Sequence, residues 1–216
     1  SLANQTEAFA ITGGDGVDII TGGSGADTIN TGAGADIITI GTAGHGNSDT
    51  IDGGDDADVL QLSTGAHAFA DNNKLQNVET VKTHSSGSEV SLANQTEAFA
   101  ITGGDGVDII TGGAGNDIIT GGSGNDTINV DAGTDTINDL ATGDILVISE
   151  NATASATVAV AFTATSGTVN HANNAVTKAV LATDTDGSTI NITLASGAFT
   201  LTGGDGVDII TGGSGA

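Results

Sequence analysis

Apolar residues in this chain arrive singly or in pairs, at a spacing that repeats. Along residues 13–61 and again along 103–147 an aliphatic side chain recurs about every ninth position: Ile20, Ile29, Ile38, Ile51 and Leu60, then Ile110, Ile119, Ile128, Ile137 and Leu146. Each is preceded by a glycine-rich polar hexapeptide. The first run reads GGDGVDIIT (13–21), GGSGADTIN (22–30), TGAGADIIT (31–39), GHGNSDTID (44–52) and GGDDADVLQ (53–61). The second reads GGDGVDIIT (103–111), GGAGNDIIT (112–120), GGSGNDTIN (121–129), VDAGTDTIN (130–138) and a degenerate DLATGDILV (139–147). Each nonapeptide predicts a six-residue turn followed by a three-residue strand whose eighth position points inward. So short a strand cannot stand alone. Two nonapeptides close a flattened coil of about 18 residues, and stacking such coils with parallel strands ~4.8 Å apart buries a thin aliphatic core. The expected fold is all-β, a parallel β-solenoid interrupted by β-rich spacers.

A longer repeat overlies the short one. Residues 1–23 recur unchanged at 91–113, and 13–26 recur at 203–216. The chain therefore reads as a window on an array, divided into a lead-in strand and first run (1–61), a spacer (62–102), a second run (103–148), an Ala/Thr/Val-rich spacer (149–202) and the start of a third run (203–216). In the first spacer, LQNVETV (75–81) and the strand-like alternation of Phe99 and Ile101 predict continued solenoid without metal. Residues 149–202 predict several short strands of open arrangement. The seventh position points outward and holds Ile19, Ile37, Ile109 and Ile118. The spacers are expected to fold back over this ladder; a second copy packing there, or simple exposure of isolated residues, are the alternatives.

Composition sharpens this picture. There are 35 Gly, 27 acidic residues and only three basic ones, Lys74, Lys82 and Lys178, giving a formal charge of −24; Pro, Cys, Met, Trp and Tyr are absent. Such a charge repels phosphate backbones and anionic lipid heads, so nucleic acid and bare membrane are poor partners, no membrane insertion is expected, and cations are favoured. Acidity with few aromatics otherwise suggests disorder, but the acids here are regularly spaced. Without cysteine, any cross-link must come from elsewhere, and metal is the candidate. No apolar run approaches a membrane span, and no signal-peptide pattern opens the chain.

The sixth position of every nonapeptide is aspartate: Asp18, Asp27, Asp36, Asp49 and Asp58, then Asp108, Asp117, Asp126, Asp135 and Asp144, and Asp208 in the third run. Stacked coils place these like charges in columns, at a cost of order 1 kcal/mol per neighbouring pair even with water-like screening. A hard divalent cation relieves it, taking one carboxylate from each of two coils plus the carbonyls that glycine-rich turns leave unpaired.

These motifs resemble the RTX calcium-binding β-roll, whose repeat is GGxGxDxUx. The resemblance covers roughly 110 residues and implies a β-roll with calcium between turns two nonapeptides apart. The implied pairs are Asp18–Asp36, Asp27–Asp49, Asp36–Asp58, Asp108–Asp126, Asp117–Asp135 and Asp126–Asp144. Turn carbonyls such as those of Gly14, Gly16, Gly23, Gly25, Gly32, Gly34, Gly104, Gly106, Gly113, Gly115, Gly122 and Gly124 complete the ligand set. Six ions would take the formal charge from −24 to about −12, so folding and binding should be coupled and the metal-free chain largely disordered. Asp208 lacks a partner coil here. Departures mark weaker sites: a four-residue insert, Ile40 to Ala43, and Asp56 at a glycine position. After Gln61 the next sixth position is His67, so the acid column is expected to stop.

Other signals are slight. His45, His67, His84 and His171 have no metal or catalytic spacing; DTDG (184–187) opens like an EF-hand loop but lacks the closing glutamate and reads as a polar turn. No G-x-S-x-G, P-loop or HExxH pattern occurs. The resemblance implies a non-enzymatic, calcium-locked structural segment of a secreted or cell-surface bacterial protein of the surface-layer, extracellular-fibre or giant-adhesin kind, exported unfolded by a type I system. Its partners would be calcium ions and further copies in lateral self-assembly, with a cell-surface glycan as a candidate. The alternatives are the calcium-loaded tail of a secreted toxin or hydrolase, and an ice- or glycan-binding solenoid.

Overall fold

The computed structural model describes residues 1–41, 48–69, 71–158, 160–171, 179–183 and 188–213, with only the backbone described at Asn151 and Ala179. The DTDG segment, His45, Lys178 and the last two residues of the insert lie outside them. Among the described residues every regular element is a strand and every pairing is parallel. The chain is a β-solenoid of about nine turns.

One wall of the solenoid is a single ladder. Its inward rungs are Ile20, Ile38, Leu60, Val81, Ile101, Ile119, Ile137, Ala156, Leu181 and Leu201, each paired with the next. At the strand spacing of a sheet its nine steps extend roughly 43 Å. The spacers supply rungs to this ladder as the nonapeptides do: Val81 joins Leu60 to Ile101, and Ala156 and Leu181 join Ile137 to Leu201. They lengthen the stack rather than fold back over it. Ile19, Ile109 and Ile118 accordingly stay exposed, at 73%, 39% and 50%, which corrects the expectation of a cover.

The second wall is broken into sections. Ile11, Ile29, Ile51 and Leu75 form the first, His67, Val90, Ile110, Ile128 and Leu146 the next, and Phe162, Ile190 and Ile210 the last. The first junction lies in the spacer coil 61–80, which carries two strands on this wall, as does the coil holding Ala161–Thr163 and Val169–Asn170 at the second junction. Leu75–Gln76 pairs back to Thr50–Asp52, while Gly65–Ala68 pairs forward to Ser88–Ser91. The extra strand needs extra side-chain volume, and Leu62, Phe69, Val78 and His67 are buried there.

Together with the coils on either side, that coil shifts the phase by half a turn: the ladder steps Ile38–Leu60, Leu60–Val81 and Val81–Ile101 span 22, 21 and 20 residues, nine in all beyond 18 apiece. Ile20 belongs to the continuous ladder and Ile11 to the second wall, whereas in the identical copy Ile101 is on the ladder and Ile110 on the second wall. Ninety residues thus make four and a half coils, and the same sequence faces opposite ways. The next copy, with Leu201 on the ladder and Ile210 opposite, keeps the second copy's orientation.

At the end of the second run the turns themselves become sheet. Thr127–Leu140 and Ile145–Val158 are fourteen-residue strands paired through the corner, Gly133 with Ala152 and Asp135 with Ala154, with irregularities at Val130/Ala132 and Ile137/Leu140. Small buried side chains follow along this edge, with Ala154 and Ala156 in the places of Asp135 and Ile137 and Ala152 beside Gly133.

Candidate metal-binding turns

Each sixth-position aspartate stands two residues before a ladder rung, so the register that stacks the rungs also stacks the acids. All six expected pairs are brought together, and by one kind of contact: the Oδ1 of each aspartate accepts the backbone amide of its counterpart one coil earlier. Asp18 donates to Asp36 at 2.7 Å, Asp27 to Asp49 at 2.9 Å and Asp36 to Asp58 at 2.7 Å. In the second run Asp108 donates to Asp126 at 2.9 Å, Asp117 to Asp135 at 2.8 Å and Asp126 to Asp144 at 2.9 Å. The first acid of a column receives the amide of a neutral residue instead: Asp27 from Phe9, Asp108 from Ser88, Asp117 from Phe99 and Asp208 from Ser188. Asp18 and Asp208 are half-buried, while the other nine are buried.

The second oxygen divides these acids into two groups. In Asp18, Asp27, Asp108 and Asp117, Oδ2 accepts the amide of the second residue of its own turn, Gly14, Gly23, Gly104 or Gly113, at 2.8–3.0 Å. Oδ2 of Asp144 accepts the amide of the third residue of its turn, Ala141, at 2.7 Å. In Asp36, Asp58, Asp126 and Asp135, Oδ2 is buried and has no partner. In the turn of Asp126 the reason is visible, because Asp139 accepts the amides of both Gly121 and Gly122. Four carboxylate oxygens, each one coil or more into its column, are thus left without a donor.

Burial dominates the electrostatics. It pushes Asp58 up to about 6 against the lowering effect of the Asp36 amide, and the charges of Asp36, Glu79 and Asp56 push the same way. Asp126 is raised to about 6 by burial, with the Asp144, Asp108 and Asp139 charges adding to it, and Asp135 to about 7 by burial, with the Asp117 and Asp131 charges adding to it. Burial also raises Asp117 and Asp144. A buried carboxylate with one empty oxygen is stabilised either by a proton or by a cation.

The glycines set how closely turns approach. Gly32 and Gly54 adopt φ of 101° and 93°, and a Cβ on either would strike the carbonyl oxygen of the equivalent glycine one coil earlier, Gly14 or Gly32. Only glycine combines this conformation with this contact. The same closeness pairs three of the turn carbonyls expected to be left free. The carbonyls of Gly14, Gly32 and Gly104 accept the amides of Ala33, Asp55 and Ser123, because stacking sets the third residue of each turn over the second residue of the turn before. Among the described residues no three acidic or histidine side chains cluster as a metal cage, so an ion here would draw on at most two carboxylates and otherwise on backbone or water oxygens.

A family model described as the RTX calcium-binding nonapeptide repeat (4 copies) matches residues 11–41, 43–66, 102–137 and 200–216, together half of the chain. The chain belongs to this family. The RTX repeat is a structural calcium-binding motif, and Ca2+ is the ion its nonapeptides bind. No curated protein and no solved structure matches the chain. Among the described residues no helix is long and apolar enough to cross a membrane.

Two acids that bond to the nonapeptide turns do not follow the sixth-position pattern. Glu79 receives the Asp58 amide at 2.8 Å, and Asp139 caps Gly121 and Gly122. Glu79 follows Asp58 by 21 residues rather than 18, and Asp139 occupies a first, not a sixth, position, so the nonapeptide period passes over both. Of the weaker candidates, His67 is buried against Ser63 and His84 bonds Ser86.

Proposed function

We propose that this chain is a non-enzymatic structural segment of a large secreted or cell-surface bacterial protein, of the surface-layer, extracellular-fibre or adhesin kind, which calcium locks into a rigid rod. The observation that carries the reading is the set of unpartnered buried oxygens on Asp36, Asp58, Asp126 and Asp135. Each belongs to a carboxylate already tied to the coil before it, so an ion bound there would cross-link successive turns. Asp18, Asp27, Asp49, Asp108, Asp117 and Asp144 complete the acid columns, with the remaining ligands from turn carbonyls and water. Calcium supplies charge neutralisation and oxygen coordination; the protein supplies the stacking.

Cytosolic calcium is too scarce to close such columns, whereas extracellular calcium suffices, so the chain is held to be exported unfolded and to fold outside. The exposed Ile19 and Ile118 on one wall, and Ile109 on the other, give faces on which further copies could pack side by side.

Circular dichroism of the full chain during calcium titration, followed by electron microscopy of the same sample, tests this reading. The expected result is a coil spectrum in chelator, cooperative gain of β signal with calcium, and ordered filaments or sheets. A β spectrum that survives exhaustive chelation would refute the calcium lock. Folded, dispersed monomers at high concentration would refute self-assembly.

A further inference from the structure

The first column of acids does not end where the nonapeptides end. Val59 and Leu60 pair with Thr80 and Val81, which sets Glu79 beside Asp58. The Glu79 carboxylate accepts the Asp58 amide at 2.8 Å, the same bond that Asp58 makes to Asp36 and Asp36 to Asp18. Glutamate therefore stands in the aspartate's place one coil into the spacer.

The turn that carries it is short. Asp52 pairs with Gln76, so the six residues Gly53 to Asp58 face only three, Asn77, Val78 and Glu79. Asn77 closes that turn with φ of 51°, a left-handed conformation that asparagine tolerates. The extra methylene of glutamate, compared with aspartate, gives the side chain the reach the shortened backbone lacks.

A second, independent feature marks the place. Asp58 is fully buried and its Oδ2 has no partner. A Cβ on Gly53 would lie 2.5 Å from that oxygen and would strike the carbonyl oxygen of Asn77, which reaches the same side of the turn. Two oxygen acceptors thus lie on the same side of Gly53, and the carboxylate oxygen has no donor.

We propose that Asp58, Glu79 and the Asn77 carbonyl hold a further divalent cation of calcium type, the last of its column and outside the nonapeptide repeat. The inference rests on the calcium reading of the aspartate columns. Two carboxylate groups and a carbonyl are hard oxygen donors suited to calcium, and the exposure of Glu79 leaves room for the water ligands that complete six to eight oxygens. The ion would tie the first run to the spacer, at the coil where the solenoid changes its second wall.

The test is diffraction from the calcium-loaded full chain, with lanthanide exchange to locate ions by anomalous scattering. The expected result is an ion at about 2.3–2.6 Å from Asp58 Oδ2 and the Asn77 carbonyl oxygen. Ions in the Asp126 turn with none beside Asp58 Oδ2 and Asn77 overturn this inference and leave the aspartate columns standing; ions at neither place overturn both. In solution, cadmium-113 resonance counts sites individually. Glu79→Gln, which keeps an acceptor for the Asp58 amide and removes the charge, should lose one resonance, different from the one lost in Asp135→Asn. An unchanged set of resonances in Glu79→Gln also overturns the proposal.

Discussion

At the scale of single residues the aspartates have two tasks that pull against each other. One oxygen joins coils by accepting an amide, which favours the charged form; burial of the whole carboxylate opposes it, and in Asp58, Asp126 and Asp135 burial wins. The folded, metal-free chain therefore holds protons that the unfolded chain has released. Between the ordinary aspartate value of 3.8 and the raised values of about 6 to 7, the folded state binds more protons, so its stability falls as pH rises through that window. Without calcium, acidification from pH 7.5 to 5 should raise the folded fraction, read by circular dichroism in chelator. With calcium the same protons compete for the same oxygens, and the calcium concentration at half-folding should increase as pH falls. A metal-free fold that weakens on mild acidification would contradict the assignment of empty oxygens to these three residues. The sixth-position acids were legible from their period alone. Which of their oxygens lack a donor was not, because that depends on where Gly122 or Gly32 points its amide, a property of the stacked turn.

At the scale of the element, a turn is useful only as closely as it can be stacked. Gly54 lies with positive φ against the Gly32 carbonyl, and Gly14 holds the same turn position in the first coil of this chain with open space where its Cβ would be. Gly54→Ala should lower stability by more than about 1 kcal/mol and weaken calcium-induced folding, whereas Gly14→Ala should match the parent in calcium-saturated thermal melts. Equal melting of the two variants would show that turns in this solenoid are looser than the stack requires. The strands were easier to read than the turns. One inward residue per nonapeptide is enough to name Ile38, Leu60 or Ile119 as core, and each is completely buried. The Ala/Thr/Val-rich stretch after 149 resisted reading because its rungs are small and irregularly spaced. Ala156 and Leu181 become core only through their pairing with Ile137 and with each other.

At the scale of the whole molecule the spacers are the continuation of the rod, and they set its orientation. The three long ladder steps between Ile38 and Ile101 shift the phase by half a turn, so the exposed Ile19 and its copy Ile109 look out from different walls. Continuity can be tested by paired cysteines on the outer face. Val59 and Thr80 are in register, as are Thr80 and Ala100. Val59→Cys with Thr80→Cys, and Thr80→Cys with Ala100→Cys, should each oxidise within one chain when calcium is present, and much more slowly in chelator, since parallel in-register neighbours lie within disulfide reach. If the spacer were a separate domain beside the rod, neither pair would close.

The amino-acid pattern alone determined that this chain is a stack of short parallel strands and that its acids line up in columns, because a nine-residue period in glycine, aspartate and isoleucine has no other way to bury one aliphatic side chain per repeat. It could not determine which wall a given copy occupies, which carboxylate oxygens are left empty, or that Glu79 extends a column. Those depend on how many residues each coil spends on its corners, and coils of 18, 21 or 25 residues all satisfy the same ladder. Only the closed stack, where every rung must meet the one before it, decides how that length is shared.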